Sequence, residues 1–370
     1  MPHVSELELR NFRSFGLCRI EASPRPIILH GGNGRGKTSV LEAISLCSPG
    51  RGLRFATSGD ICRRGQKDGW LARFSVADRI ATYSIDTYAA RGERRQIRID
   101  GKPARQLDLL DQLRVVWLSP LMDRIWVDGA GVRRRFMDRA TMSFSPEHPT
   151  LINRYERAMR ERNRLLRQHC ADESWFEALE FQMADSGAVI RANRQSAIDS
   201  LQCSIDEGSG RDLPAATLEI TMPEATASAA DADSLLQLFR TGRHRDMMAK
   251  RTLNGPHRAD LSVVHAQTQL PARLCSSGEQ KELLLTVVVA HAQAVHDRFG
   301  QRPVLLLDEA VAHLDVDRRA TLLNRICKTP AQIWLTGTDL ASFESVQQDC
   351  QVVDMATAGG GACGIARTSE

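Results

Sequence analysis

The sequence predicts an α/β fold in which both ends of the chain form one domain and a mainly helical segment is inserted between them. Two short apolar runs, RPIILHG (25–31) and PVLLLD (303–308), indicate buried strands, and a segment with helical spacing follows each. Between them the pattern changes to long amphipathic helices. We therefore predict a first domain from residues 1–106 and 256–370, and a helical second domain from residues 107–255.

Three segments before the helical region predict antiparallel strands in the first domain. VSELEL (4–9) alternates apolar and polar residues, as a half-buried strand does. WLARFSVADRIATYSIDTYA (70–89) and RRQIRIDGKPA (94–104) have the composition of antiparallel strands, and Asp100-Gly101 favours a hairpin turn between two of them.

A glycine-rich loop follows the first buried strand and precedes a helix. In GGNGRGKT (31–38) the glycines let backbone N–H groups point at a phosphate, Lys37 neutralises phosphate charge, and the Thr38 hydroxyl is placed to bind Mg²⁺. The alternative is a glycine-rich turn that arises by chance, against which the flanking strand and helix argue. We expect Lys37 to be catalytic as well. The predicted ATP-binding residues of the loop are Gly31, Gly32, Asn33, Gly34, Arg35, Gly36, Lys37, Thr38 and Ser39.

The second buried strand ends in two acidic residues, Asp308 and Glu309. Ligands of parallel sheets bind at the carboxyl ends of the strands. Asp308 is therefore predicted to hold Mg²⁺, and Glu309 to act as the general base on the attacking water. The alternative is a strand followed by an acidic helix cap.

A third motif, CSSGEQKELLLTVVVAHAQAV (275–295), places Ser277 and Gly278 at the start of an apolar helix. A hydroxyl, exposed N–H groups and the helix dipole together form an anion site. It resembles the signature motif of ABC-type ATPases, in which the motif of one subunit covers the γ-phosphate bound by the other. The alternative is a serine cap with Glu279 in the first turn.

The order of these motifs, with HLD (313–315) after them, is that of ABC-type ATPases, and it adds Asp315 to the predicted nucleotide contacts. Small GTPases and nucleotide kinases lack the signature motif. A transporter-energising subunit remains an alternative, although it would usually carry a histidine where this chain has Gly337-Thr338. A regulatory module that binds ATP without hydrolysing it is a further alternative, against which Glu309 argues.

Composition limits the cellular setting. The formal net charge of +4 allows an anionic partner without requiring one, and the nine cysteines include no C-x-x-C pair. No apolar run is long enough to span a membrane, and the N-terminal residues lack the apolar core of a signal peptide. We therefore expect a cytoplasmic protein with no membrane partner.

Several stretches resemble one family. LELRNFRSF at the start, VVWLSP (115–120), RRRFMDR (133–139) and NGPHRADL (254–261), together with the nucleotide motifs, are similar to the RecF family of bacterial recombination-repair ATPases, which is related to the Structural Maintenance of Chromosomes proteins. One departure is that Leu121 and Met122 follow Ser119-Pro120, where the family commonly has an acidic residue.

This resemblance implies an ABC-type ATPase head with an inserted helical arm, and a weak, DNA-stimulated ATPase that uses ATP and Mg²⁺. It also implies an ATP-dependent homodimer that binds gapped or junction DNA. With the mediator proteins RecO and RecR, such a dimer helps to load the recombinase RecA at single-strand gaps during repair and replication.

Two basic clusters are candidate DNA contacts. RYERAMRERNRLLRQ (154–168) places arginines on one broad helical face, where they could neutralise phosphates or pair with Glu156 and Glu161. The RRR cluster (133–135) could instead pack against acidic residues. Neither cluster has interleaved aromatic residues, which favours duplex backbone over stacked bases. The predicted DNA-binding residues are Arg133, Arg134, Arg157, Arg160 and Arg164.

Overall fold

The computed structural model describes residues 2–66, 68–78, 81–168, 172–208, 213–312 and 315–358. The chain forms two compact units. The first comprises Met1–Asp123, Ser204–Ala215 and Ser276–Glu370, and the second comprises Arg124–Cys203 and Ala216–Cys275. These limits differ from the predicted domain boundaries at 107 and 255, and strand pairing explains the difference.

The elements are numbered in chain order. The strands are β1 (His3–Phe12), β2 (Phe15–Glu21), β3 (Ile27–His30), β4 (Trp70–Ala77), β5 (Thr82–Ala89), β6 (Gln96–Ile99), β7 (Lys102–Ala104), β8 (Val115–Leu118), β9 (Ala216–Thr221), β10 (Asp260–His265), β11 (Val304–Leu307), β12 (Gln332–Gly337) and β13 (Gln351–Asp354). The α-helices are α1 (Lys37–Ser45), α2 (Ser58–Ile61), α3 (Leu109–Gln112), α4 (Ala130–Phe144), α5 (His148–Arg167), α6 (Glu173–Gly208), α7 (Glu224–Ser228), α8 (Ala232–Ala249), α9 (Ser277–Phe299), α10 (Val316–Cys327) and α11 (Met355–Ala358). Short 3₁₀ segments connect several of them.

A parallel sheet forms the centre of the first unit, with strand order β13-β3-β12-β11-β8. The apolar residues of β11 and β12 are buried, as in parallel sheets that are covered on both faces. Leu307 pairs with Leu335 on one side and with Leu118 on the other. The residues that follow these three strands therefore lie side by side at the carboxyl edge. Because β8 belongs to this sheet, the first unit continues past residue 107.

The second sheet of the first unit is antiparallel, with strand order β2-β1-β4-β5-β6-β7. Leu7, Leu9 and Phe74 are fully buried on its inner face. Asp100 and Gly101 have φ of +48° and +73°, the left-handed values that a tight hairpin turn between β6 and β7 requires. The strands predicted in 4–9, 70–89 and 94–104 therefore lie in this sheet, whereas β2 was not predicted.

The second unit is mainly helical. Tyr155, Met183, Leu235 and Phe239 pack together between α5, α6 and α8. The strands β9 and β10 pair in antiparallel register. Since β10 has its partner in this unit, residues 256–275 belong here and not to the first domain, where the sequence placed them.

The GPHRADL motif has a structural role inside the second unit. The hydroxyl of Tyr155 lies 2.7 Å from His257 Nδ1. Gly255, with φ of +128°, permits this approach, because a Cβ at that position would lie 2.4 Å from the Tyr155 hydroxyl oxygen.

Among the helices that the structure describes, none combines the length and the hydropathy of a membrane span.

Candidate nucleotide-binding site

The loop between β3 and α1 has an unusual backbone shape. Gly31, Gly34 and Gly36 have φ of +143°, +77° and +88°, values that other residues adopt only with strain. A Cβ at position 36 would also lie 2.3 Å from the ring of Phe15. Glycine is therefore required at position 36, and the loop can turn its N–H groups toward an anion in front of α1.

Lys37 begins α1, is buried, and donates from Nζ to the carbonyl oxygens of Gly31 and Gly32. A cavity of about 760 Å³ lies in front of the loop. The predicted residues that line it are Asn33, Gly34, Arg35, Gly36, Lys37, Thr38, Ser39 and Glu309. A cavity formed by glycine N–H groups, an ammonium and a hydroxyl suits a polyphosphate.

Asp308 lies at the carboxyl end of β11 and accepts hydrogen bonds from two threonines. Thr38 Oγ1 donates to Asp308 Oδ1 at 3.1 Å, and Thr336 Oγ1 donates to the same oxygen at 2.8 Å. Burial raises the pKa of Asp308, and the two threonine hydrogen bonds oppose that shift. A carboxylate beside a hydroxyl matches the oxygen ligands that Mg²⁺ prefers, so these residues fit the predicted metal.

Glu309 follows Asp308, is exposed, and lines the same cavity. Its φ is +51°, a left-handed value that persists in a glutamate only where neighbouring contacts hold it. One such contact is the hydrogen bond of 2.9 Å from the Glu309 N–H to Thr336 Oγ1. The carboxylate is therefore free to approach a water molecule next to a bound phosphate, as a general base must.

The helix α9 begins at Ser277, with Ser276 as its N-terminal cap. Ser276 Oγ accepts from the Glu279 N–H, while the Glu279 carboxylate accepts from the Ser276 N–H at 2.8 Å and from its hydroxyl at 2.7 Å. The serine cap that the sequence offered as an alternative is therefore present, and its hydroxyl is that of Ser276. Ser277 and Gly278 lie in the first turn, where they contribute backbone N–H groups. Among the described residues that line the cavity, none comes from α9.

Asp315 caps α10, because its carboxylate accepts from the Arg318 N–H at 2.9 Å. Its side chain remains exposed and lies 3.4 Å from the Arg318 guanidinium. His313 and Leu314, the rest of the HLD motif, lie outside the described residues. A role for Asp315 at the nucleotide therefore stays a prediction.

Several basic side chains of the site were not predicted from the sequence. Arg13, Arg54, Arg63 and Arg64 also line the cavity. Arg13 forms a two-point ion pair with the buried carboxylate of Glu42, which raises the pKa of Arg13. The concentration of arginines between residues 51 and 64 was the available signal. Thr336 was missed as well, since only strand pairing reveals that it lies beside Asp308.

The structure separates the predicted DNA contacts into two groups. Arg133 forms a two-point ion pair with Asp260, with both distances 2.8 Å, and Arg134 donates to the Ala259 carbonyl at 2.8 Å. These two arginines hold the GPHRADL segment inside the second unit, so the packing alternative applies to them. Long-range pairing with Asp260 explains why local sequence did not reveal this.

The other predicted arginines lie along α5. Arg160 and Arg164 are exposed and pair with Glu156 and Glu161, at 3.4 and 2.9 Å. Arg157 is exposed. Exposed pairs of this kind hold their partners weakly, so this face of α5 remains able to bind phosphates.

Comparison with known proteins identifies the family. The model of the RecF/RecN/SMC N terminal domain matches residues 3–358. A Mesorhizobium japonicum protein named DNA replication and repair protein RecF is 42% identical over 96% of this chain and 97% of its own length. The chain belongs to the RecF family. A Rhizobium rhizogenes RecF of the same description is 40% identical and covers 97% of this chain and 99% of its own.

Solved structures share the fold of this chain. The recombination mediator protein RecF-ATPrS has a TM-score of 0.81 at 21% identity, with 96% of each chain covered. An Smc head bound to the winged-helix domain of ScpA has a TM-score of 0.56 at 14% identity and covers 99% and 97% of the two chains. The predicted α/β fold of an ABC-type ATPase head is therefore confirmed, as is the predicted resemblance to RecF.

Proposed function

We propose that this RecF-family chain is an ATP-driven switch that binds DNA during repair and replication. ATP binding joins two copies, the dimer binds gapped or junction DNA, and hydrolysis resets it. In this role it works in the cytoplasm with the mediator proteins RecO and RecR to load the recombinase at single-strand gaps. The full-length relatives named DNA replication and repair protein support this assignment.

The observation that carries the proposal is an incomplete nucleotide site. The start of α9 has the exposed N–H groups and dipole of an anion site, yet no described residue of α9 lines the cavity of its own chain. A second copy can supply the missing half, since the same surface is present on both. ATP held between two such halves would then stabilise the dimer in proportion to its preference for that state.

We assign the proposed weak hydrolysis of ATP to the residues of the cavity. Lys37 and the loop N–H groups bind the phosphates, and Glu309 takes a proton from water. A Mg²⁺ ion held by Thr38 and Asp308 would neutralise charge on the phosphates. Because α9 of the second copy must complete the site, turnover should depend on dimer formation, and DNA that favours the dimer should stimulate it.

The test is binding to a gapped duplex with ATP, with ADP and without nucleotide, across a salt series, with mass followed by light scattering. We expect ATP-dependent binding by a dimer, with affinity falling about 0.9 log units per log unit of salt for each neutralised phosphate. Binding that ignores the nucleotide would contradict the switch. Absence of binding together with association to a membrane component would favour the transporter alternative.

Lys37→Ala is expected to abolish the ATP-induced dimer. Removing the ammonium deletes charge-assisted bonds to phosphate, each worth about 1.5–3 kcal/mol, so nucleotide affinity should fall at least about 10-fold. Fluorescent-nucleotide titration and light scattering measure both effects. Lys102→Ala, at an exposed lysine of β7, is the matched control and should behave as wild type. Persistence of the ATP-induced dimer in Lys37→Ala would contradict the proposal.

A further inference from the structure

One lysine connects the start of α9 to the turn that carries Glu309. Lys281 Nζ donates to the carbonyl oxygen of Glu309 at 3.0 Å and to that of Ala312 at 3.3 Å. Lys281 lies four residues after Ser277, so both occupy the same face of α9. Helical side chains lean toward the N-terminus, which brings the ammonium of Lys281 back toward the first turn.

The turn that receives this ammonium comprises residues 309–312 and has a hydrogen bond of its own. The Ala312 N–H donates to the Glu309 carbonyl oxygen at 3.2 Å, so residues 309–312 form a hydrogen-bonded turn. Lys281 binds the carbonyls at both ends of this turn. Because the ammonium contacts two carbonyl oxygens, its position depends on the conformation of the whole turn.

Two hydrogen bonds hold the backbone of Glu309, one at its N–H and one at its carbonyl oxygen. Its N–H donates to Thr336 Oγ1 at 2.9 Å, and its carbonyl accepts from Lys281. Both contacts fix the left-handed backbone conformation, which a glutamate keeps only where its surroundings impose it. Its exposed carboxylate lines the cavity. The position of the backbone therefore helps to aim this carboxylate.

We propose that Lys281 is a positioning residue for hydrolysis, which orients Glu309 and links that orientation to the first turn of α9. The inference rests on the proposed role of Glu309 as general base. When the phosphate of a nucleotide bound by the second copy contacts the start of α9, the Lys281 ammonium, one helical turn further on, keeps the 309–312 turn in a fixed position relative to the start of α9. Lys281 touches no nucleotide; it acts through the Glu309 carbonyl.

The test combines Lys281→Met, Lys281→Arg and Glu309→Gln, with Lys102→Met as the control for loss of an exposed lysine. We expect Lys281→Met to keep the nucleotide affinity and the ATP-induced dimer but to lower kcat about 10- to 100-fold, since a displacement of about 1 Å is costly to catalysis. Lys281→Arg retains donors for both carbonyls and should recover most of kcat. In a Glu309→Gln background, Lys281→Met should lower turnover no further.

The outcomes separate this inference from the proposed function. If Glu309→Gln is inactive and Lys281→Met has wild-type kcat, the positioning role is overturned and the function stands. If Lys281→Met lowers turnover equally in both backgrounds, Lys281 acts independently of Glu309 and the inference is also overturned. If Glu309→Gln turns over as wild type, the assignment of Glu309 fails and this inference fails with it. Unchanged nucleotide affinity shows that a slow variant is folded.

Discussion

Glu309→Gln is expected to yield a protein that binds ATP and forms the dimer but hydrolyses ATP at least about 100-fold more slowly. General base catalysis contributes roughly 10²- to 10⁴-fold to rate, and the amide cannot accept the proton. Binding should survive, because Lys37, the glycine loop and the Thr38–Asp308 pair are unchanged. The loss should therefore appear in kcat and leave KM nearly constant.

Single-turnover hydrolysis and light scattering measure the two halves of this prediction. The variant should remain dimeric in ATP for much longer than the wild type, and DNA bound by that dimer should be released correspondingly late. Glu344→Gln, at an exposed glutamate that does not line the cavity, is the control and should leave all three quantities unchanged. Wild-type turnover in Glu309→Gln would mean that another group activates the water.

The carboxyl edge of the parallel sheet shows what could be predicted from sequence. Asp308 was predicted because an apolar run ended in it, and local pattern is enough for that. Thr336 ends a similar run, but its importance depends on β12 lying next to β11, so that Leu335 pairs with Leu307. Strand order is a long-range property, and no local pattern encodes it.

The same distinction applies to the second unit. The arginines at 133 and 134 were correctly seen as a basic cluster. Their partners, Asp260 and the Ala259 carbonyl, lie more than a hundred residues further along the chain. The compact units differ from the predicted domains for the same reason, since β8 and β10 were assigned by their neighbours in sequence and not by the strands that they pair with.

Arg162→Met is expected to destabilise the second unit by about 3–5 kcal/mol, the usual cost of breaking a buried ion pair. Arg162 is fully buried on α5 and donates to Glu180 at 3.0 Å and to Asp246 at 2.7 Å. It also donates to Thr252 Oγ1 and to the Phe239 carbonyl, at 2.9 and 3.0 Å. Methionine fills the volume but leaves these buried acceptors short of donors.

Hydrogen exchange of peptides from α5 and α8 reports the second unit separately from the first. Arg162→Met should lower protection there at least about 100-fold, which is the factor that roughly 3 kcal/mol represents. Arg160→Met is the matched control on the same helix, because Arg160 is exposed and pairs only loosely with Glu156; its effect should stay within about 0.5 kcal/mol.

Glu180 keeps a second partner in Arg243, 2.7 Å away, so most of the loss should come from Asp246, which also accepts from the Leu253 N–H. Removing both charges in Arg162→Met with Asp246→Asn should therefore cost less than the sum of the single variants. Full additivity would show that the two groups stabilise the unit independently.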